Sequence, residues 1–257
     1  MRLIFSLILL YFLLPCYADI ITGEVSKDTT LNKNIVYDTL TNTPIEGVII
    51  KIPSKNLVTK TLKDGTFKLQ TNITGPTIMA LEKEGYKPFS MTLTDDLKNP
   101  IQVGIEKTNP LDIVVDTKMI HLGDDSFSYN SANASEFSNF SMGSFYSNDF
   151  KIRQIKANED IFLVIGSIIG IDTDVAQKLG QSHVRTAFSS PPEVFFNNNK
   201  IAEININGDN QKIKIPKNLV SFNNMNNLTI KAGRNLHKVS SIDFDDIEFT
   251  NILFEIK

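Results

Sequence analysis

The chain has 257 residues, 41% hydrophobic and 21% charged, with one Cys and no Trp. An apolar fraction of that size over this length fills one large or two modest cores, which excludes wholesale disorder. The 26 basic and 29 acidic residues leave a net charge of −3, so no cationic excess exists to neutralise phosphates, and nucleic acid is excluded as a default partner. A single cysteine excludes an intrachain disulfide and every multi-cysteine metal framework.

The first element is residues 1–18. Arg2 precedes an almost unbroken apolar run from Leu3 to Leu14, and Cys16 and Ala18 supply small residues at the −3 and −1 positions of a cut after Ala18. That pattern reads as a secretory signal peptide. The run is shorter than the roughly 20 residues of a bilayer span, and no later stretch is long and apolar enough to be one. The expectation is an exported chain, in the periplasm, in the cell envelope or secreted. Leu13-Leu14-Pro15-Cys16 also partly resembles a bacterial lipoprotein signal, with Pro15 where that pattern places a small residue. Lipidation through Cys16 is therefore the alternative, and a bacterial source is implied.

Residues 19–108 alternate apolar and polar positions in short runs separated by turns. Thr41-Asn42-Thr43-Pro44 precedes Val48-Ile49-Ile50, and Lys63-Asp64-Gly65 separates Val58–Leu62 from Thr66–Leu69. Asp-Gly between alternating runs is a strong hairpin signal, so this part is expected to be all-β. Three motifs in order carry a resemblance: Pro44-Ile45-Glu46-Gly47-Val48, Thr61-Leu62-Lys63-Asp64-Gly65-Thr66-Phe67 and Gly85-Tyr86-Lys87-Pro88. The region resembles the carboxypeptidase regulatory-like domain, which implies a transthyretin-like, seven-stranded β-sandwich. That fold serves as spacer or binding module in many secreted proteins and says little about activity.

Asn109-Pro110 marks a boundary, since the residue before Pro is pushed out of the α region. Residues 109–257 are richer in Asn, an Asx-turn former. Strands are expected at Leu111–Val115, Phe150–Ile155, Asp160–Ser167, Glu193–Phe196, Ile201–Ile206, Gln211–Ile215, Asn227–Lys231 and Ile247–Ile256. A two-turn helix is expected at Asp172–Leu179, capped by Asp172 or Thr173 and stopped by Gly180. Leu122–Phe127, the Asn-rich stretch up to Phe140, Pro192–Asn197, Ile206–Asn210 and Phe244–Ile252 together resemble the galactose-binding-like jelly roll of carbohydrate-binding modules. The fold class that follows is all-β, a transthyretin-like β-sandwich followed by a jelly-roll β-sandwich.

Chemistry is thinly signalled. Asp243, Asp245, Asp246 and Glu248 form the densest acidic cluster. Hard cations take several carboxylate oxygens, so a structural Ca2+ is the one cofactor these residues suggest. The resembled jelly rolls often carry such an ion near the last strand; the plainer reading is that the carboxylates cap turns. His121, His183 and His237 lack helical metal-ligand spacing, and there is neither a nucleophile elbow nor a phosphate loop. Paired carboxylates for glycoside hydrolysis are not singled out by any motif.

Aromatic rings stack on the apolar faces of sugars while amides bond the hydroxyls. Ser126–Asn148 concentrates Phe127, Tyr129, Phe137, Phe140, Phe145 and Tyr146 among Ser and Asn. The phenylalanines are expected to anchor the core, and Tyr129 and Tyr146, with Asn130 and Asn133, to face a ligand. The functional expectation is an exported, non-catalytic carbohydrate-binding protein of the bacterial periplasm or cell envelope, its partner a glycan or envelope component. The alternatives are an envelope structural or adhesion protein whose jelly roll binds a protein, supported by the missing Trp, and a hydrolase, esterase or lyase acting on polysaccharide.

Overall fold

The structure is a computed structural model that describes residues 33–95, 100–126, 137, 139–182 and 188–257. The segment 1–18 with Cys16, and Tyr129, Asn130 and Asn133, lie outside the described residues. The fold is an all-β sandwich architecture, with one short α-helix among the described residues.

Seven strands occupy residues 34–105. β1 (Asn34–Asp38) is central in a three-stranded sheet, flanked by β4 (Thr66–Phe67) and β7 (Gln102–Ile105), the latter parallel to it. The facing sheet runs β3-β2-β5-β6, with β2 (Ile49–Ile52), β3 (Leu57–Lys60), β5 (Thr77–Glu82) and β6 (Phe89–Leu93) all antiparallel. Gly65 takes the positive φ of +72° that the turn between β3 and β4 demands, and Asp64 Oδ1 accepts from the Thr66 amide at 3.1 Å. Val36, Ile50, Met79 and Leu81 meet in one apolar cluster between the two sheets.

A second apolar cluster is formed by residues beyond 110, including Leu163, Phe196, Phe249 and Phe254. One of its sheets runs β10-β15-β12-β13, from β10 (Phe145–Lys151), β15 (Met225–Lys231), β12 (Glu193–Phe196) and β13 (Asn199–Glu203). The other runs β14-β11-β16-β8, from β14 (Gly208–Lys214), β11 (Ile161–Ile169), β16 (Ile247–Ile256) and β8 (Ile113–Asp116), with β9 (Ile120–Leu122) also pairing β16. α1 (Asp174–Lys178) is capped by Thr173, whose hydroxyl accepts from the Ala176 amide, and it ends before Gly180.

Asparagine does the turning. Among the described residues, seven of the eight non-glycine residues with positive φ are Asn and the other is Asp125. A short side chain that bonds its local backbone tolerates that conformation best. Asn197 and Asn198, at φ +46° and +64°, make the two-residue turn between β12 and β13. Asn251, at φ +59°, sits inside β16 beside a register shift. Before it Ile247 and Phe249 face the core, and after it Ile252, Phe254 and Ile256 do, so the bulge resets the alternation.

β16 is buried along all ten residues. One face meets the β10-β15-β12-β13 sheet across the core. The other lies towards β6, where Ser167 on β11 donates to Ser90 at 2.9 Å, and the Thr92 amide donates to Asp209 on β14 at 3.0 Å. Lys87, just before β6, reaches Asp112 and Glu255, each at 3.1 Å. The two sets of strands are thus joined by polar contacts as well as by the chain.

Candidate functional site

Two arrangements carry chemistry. The first is the outer face of the β10-β15-β12-β13 sheet. Cross-strand register puts residues on one face in rows. One row is Phe145–Lys231–Glu193–Glu203, and the next is Ser147–Thr229–Phe195–Lys200. Phe145 is 57% exposed. The Lys231 ammonium lies 4.4 Å from the centroid of the Phe195 ring. Ser147, Thr229 and Asn227 form a hydrogen-bonded line down the sheet: Asn227 Nδ2 donates to Ser147 Oγ at 2.9 Å, and Thr229 Oγ1 donates to Asn227 Oδ1 at 2.8 Å. Above the first row a groove of about 690 Å3 opens between Phe145, Glu193, Lys231, Arg234 and Phe244.

The upper wall of the groove is built by backbone. Arg234 bridges Phe244 on one side, while its amide and carbonyl meet the Ser190 hydroxyl and amide on the other, at 3.1 and 2.9 Å. A Cβ at position 233 would overlap the Ser190 carbonyl, so Gly233 is what lets these segments close up. Glu193 is engaged by Lys200 at 2.6 Å, and Lys200 also holds Glu203 at 2.6 Å.

The second arrangement is the buried acidic region at the start of β16. Asp243, Asp245, Asp246 and Glu248 are all at most 2% exposed, but they face different partners. Asp243 accepts from Asn235 at 2.9 Å and pairs with Lys238 at 3.3 Å. Asp245 accepts from the Ser189 hydroxyl and from the Asp172 amide; burial pushes its carboxyl well above the usual range, against those two hydrogen bonds. Asp246 Oδ1 accepts from His121 Nε2 and from the Asp125 amide, each at 3.0 Å. Glu248 pairs His121 in the ladder. Three different partners, set by a chain that turns before it becomes a strand, draw these carboxylates apart. Of the described residues, those that bring ligand atoms within 4.8 Å of one another are His121, Asp125 and Asp246, so of the four carboxylates expected to hold calcium the structure places Asp246 in that set. The set holds one nitrogen and two carboxylates, which is not the all-oxygen set that calcium takes.

His121 itself is 2% exposed, with Nδ1 2.7 Å from the Asn139 carbonyl and Phe137 packed on its ring at 4.6 Å. Nδ1 must donate, because a carbonyl only accepts, and Nε2 faces a carboxylate oxygen. Both nitrogens are satisfied as donors when the ring is an imidazolium. Burial lowers the His121 pKa, but the Asp246 and Asn139 hydrogen bonds outweigh it and leave it raised. The ring bridges the Asp246 carboxylate and the Asn139 carbonyl and so ties the segment at 139–143 down over β9.

Tyr146 is a correction of another kind. The stretch at 145–151, expected to be loop up to residue 148, is strand β10, and alternation turns Tyr146 inward and Phe145 outward. Tyr146 is 4% exposed, edge-on to Phe249, and its hydroxyl lies 3.0 Å from Asn148 and 3.4 Å from Asp116. Burial raises its pKa to about 12. It offers no face to a ligand. Conversely Phe140 is 91% exposed, although the phenylalanines of this stretch were expected to be core anchors. Polar–apolar alternation in β12 and β15 was the signal that puts Phe195 and Lys231 on the solvent face; Arg234 lies beyond β15, and no local pattern singles it out.

No family model matches the chain, and no curated protein matches it.

Proposed function

We propose that the chain is a non-catalytic glycan-binding protein whose ligand lies in the groove above β10, β15 and β12. The observation that carries this reading is the pairing of the exposed Phe145 ring with a line of hydroxyls and amides on the same sheet face, Phe195 serving as the platform under the Lys231 ammonium. Flat rings for the apolar side of a sugar and directional groups for its hydroxyls are what carbohydrate recognition requires. Glu193 is the one carboxylate lining the groove and is held by Lys200, so the carboxylate pair of a glycoside hydrolase is not assembled among the described residues here. In this reading residues 109–257 are a galactose-binding-like jelly roll, residues 19–108 are a carboxypeptidase regulatory-like spacer, and residues 1–18 direct export to the periplasm or cell envelope.

Calorimetric titration of the full chain with envelope and plant-type polysaccharides tests the proposal. Phe145→Ala should weaken binding about tenfold or more, while Tyr146→Phe should leave it unchanged and cost only about 1 kcal/mol of stability through its lost hydrogen bonds. Binding that ignores Phe145, or no binding at millimolar glycan, would overturn it.

A protein partner is favoured by a separate observation. Leu236, Val239 and Ile242, in the segment beside the groove, are 57%, 96% and 66% exposed. Paired substitution of Val239 and Ile242 by Asp should abolish binding to an envelope protein on that reading and leave glycan titration untouched.

A further inference from the structure

Resting on the glycan reading of this groove, we infer that its ligand is an acidic sugar chain whose units carry carboxylates. Among the described residues the groove holds two cations without an ion-pair partner, Lys231 and Arg234, three positions apart and both exposed. The only anion lining it, Glu193, is spent on Lys200 at 2.6 Å. The side chains that line the groove therefore carry two cations against one anion, on a chain whose net charge is −3. A surface negative overall and positive at one groove attracts an anion there and repels it elsewhere, which makes the groove selective and not a general polyanion surface.

The two cations are also placed for a sugar. Lys231 stands 4.4 Å over the Phe195 ring, which orients its ammonium across the sheet face without neutralising it. Arg234 springs from a backbone clamped between Ser190 and Phe244, so its guanidinium starts from a fixed base. A planar guanidinium bonds a carboxylate through two parallel N–H donors, a geometry no neutral hydroxyl reproduces. Phe145, opposite Lys231 in the ladder, offers a ring on which a sugar unit can lie while its carboxylate meets Arg234.

The experiment uses the full chain and three kinds of probe: polygalacturonate and alginate oligosaccharides, the same oligosaccharides with their carboxylates methyl-esterified, and dextran sulfate. At least one acid form should bind tenfold or more tightly than its ester. Arg234→Ala and Lys231→Ala should each weaken the acid form about tenfold and leave the ester's affinity unchanged, with unaltered thermal midpoints. Arg234→Lys should recover only part of the loss, because it keeps the charge and removes the fork. Equal binding of acid and ester would overturn the acidic preference and leave the glycan reading standing. Dextran sulfate binding as tightly as the acids, with no response to Arg234→Ala, would show general attraction to polyanions and overturn it as well. Binding of none of these probes, with neutral polysaccharides still bound through Phe145, would remove the inference alone; binding of no glycan of any kind would remove both.

Discussion

His121 holds together the part of the molecule where the acidic residues are densest. Its ring is clasped between the Asn139 carbonyl and the Asp246 carboxylate, at 2.7 and 3.0 Å. Removing it takes from the buried Asp246 the ring that bonds its Oδ1, and breaking a buried pair costs about 3–5 kcal/mol. His121→Ala should lower the free energy of denaturant unfolding by that amount. The pH dependence has a definite sign. The folded pKa lies above the ordinary 6.5, so the stabilisation is fully present below that value and is lost as pH rises through the raised folded pKa. Thermal midpoints from pH 5 to 9 should fall towards the alkaline end in the natural chain, and that slope should flatten in His121→Ala. The acidic cluster was visible in the sequence, as residue types; its partner was not, because His121 lies 125 positions from Asp246 and no spacing rule connects them. Tyr146 shows the converse: its amphipathic character was read as exposure, and one step of strand alternation decided against it.

At the scale of elements, β16 is the spine. It pairs β11 through eight registered residues, receives β8 and β9 on its other edge, and is buried on both faces. Its bounds, Ile247–Ile256, were legible because Ile and Phe alternate with polar residues at 247–250 and apolar residues return at 252–254 and 256, a strand pattern. β10 was less legible. Its sequence, FYSNDFK, carries Ser147 and Asp149 on the solvent side and Asn148 on the inner one, which reads as loop until β15 supplies the antiparallel partner from Phe145↔Lys231 to Lys151↔Met225. Phe254 is the element's tightest point, fully buried and stacked on Phe150 with centroids 4.5 Å apart. Phe254→Ala should cost about 3–5 kcal/mol, the cavity-plus-transfer loss of a core aromatic. Urea unfolding should register it as a lower midpoint, and a loss below 1 kcal/mol would mean that the β11–β16 region does not limit stability.

For the molecule as a whole, the question is how firmly the strands of residues 34–105 are held to those beyond 110. Lys87 is 15% exposed at its side chain and sits among Asp112 and Glu255, at 2% and 8%. Burial would lower the Lys87 pKa, but the two carboxylates raise it; burial would raise that of Glu255, but Lys257, Lys212 and Lys87 bring it to about 2. A depressed carboxylate stabilises above its unfolded pKa and loses that contribution as pH falls through the folded one. The lock should therefore hold at neutral pH and weaken between about pH 4.5 and pH 2. Lys87→Met should cost about 3 kcal/mol, the lower end for a buried pair deprived of one partner, since the lysine keeps some solvent contact. Limited proteolysis between the two sets of strands should accelerate in this variant near neutral pH, and identical digestion of both chains would show that the ionic contacts do not join them.

The sequence by itself determined the all-β class, the Asn- and Gly-rich character of the turns, the short helix with its cap narrowed to Asp172 or Thr173, and the apolar strands. These are local matters, set by side-chain period and by which residues tolerate positive φ. It also exposed the charged and aromatic residue types from which a site would be drawn. Only the tertiary structure decided which of them meet. Strand register put Phe145, Lys231 and Glu193 in one row, turned Tyr146 inward, divided the four carboxylates among separate partners, and set His121 against Asp246. Register is fixed by long-range pairing, and a shift of one residue reverses every face, so no local pattern carries it.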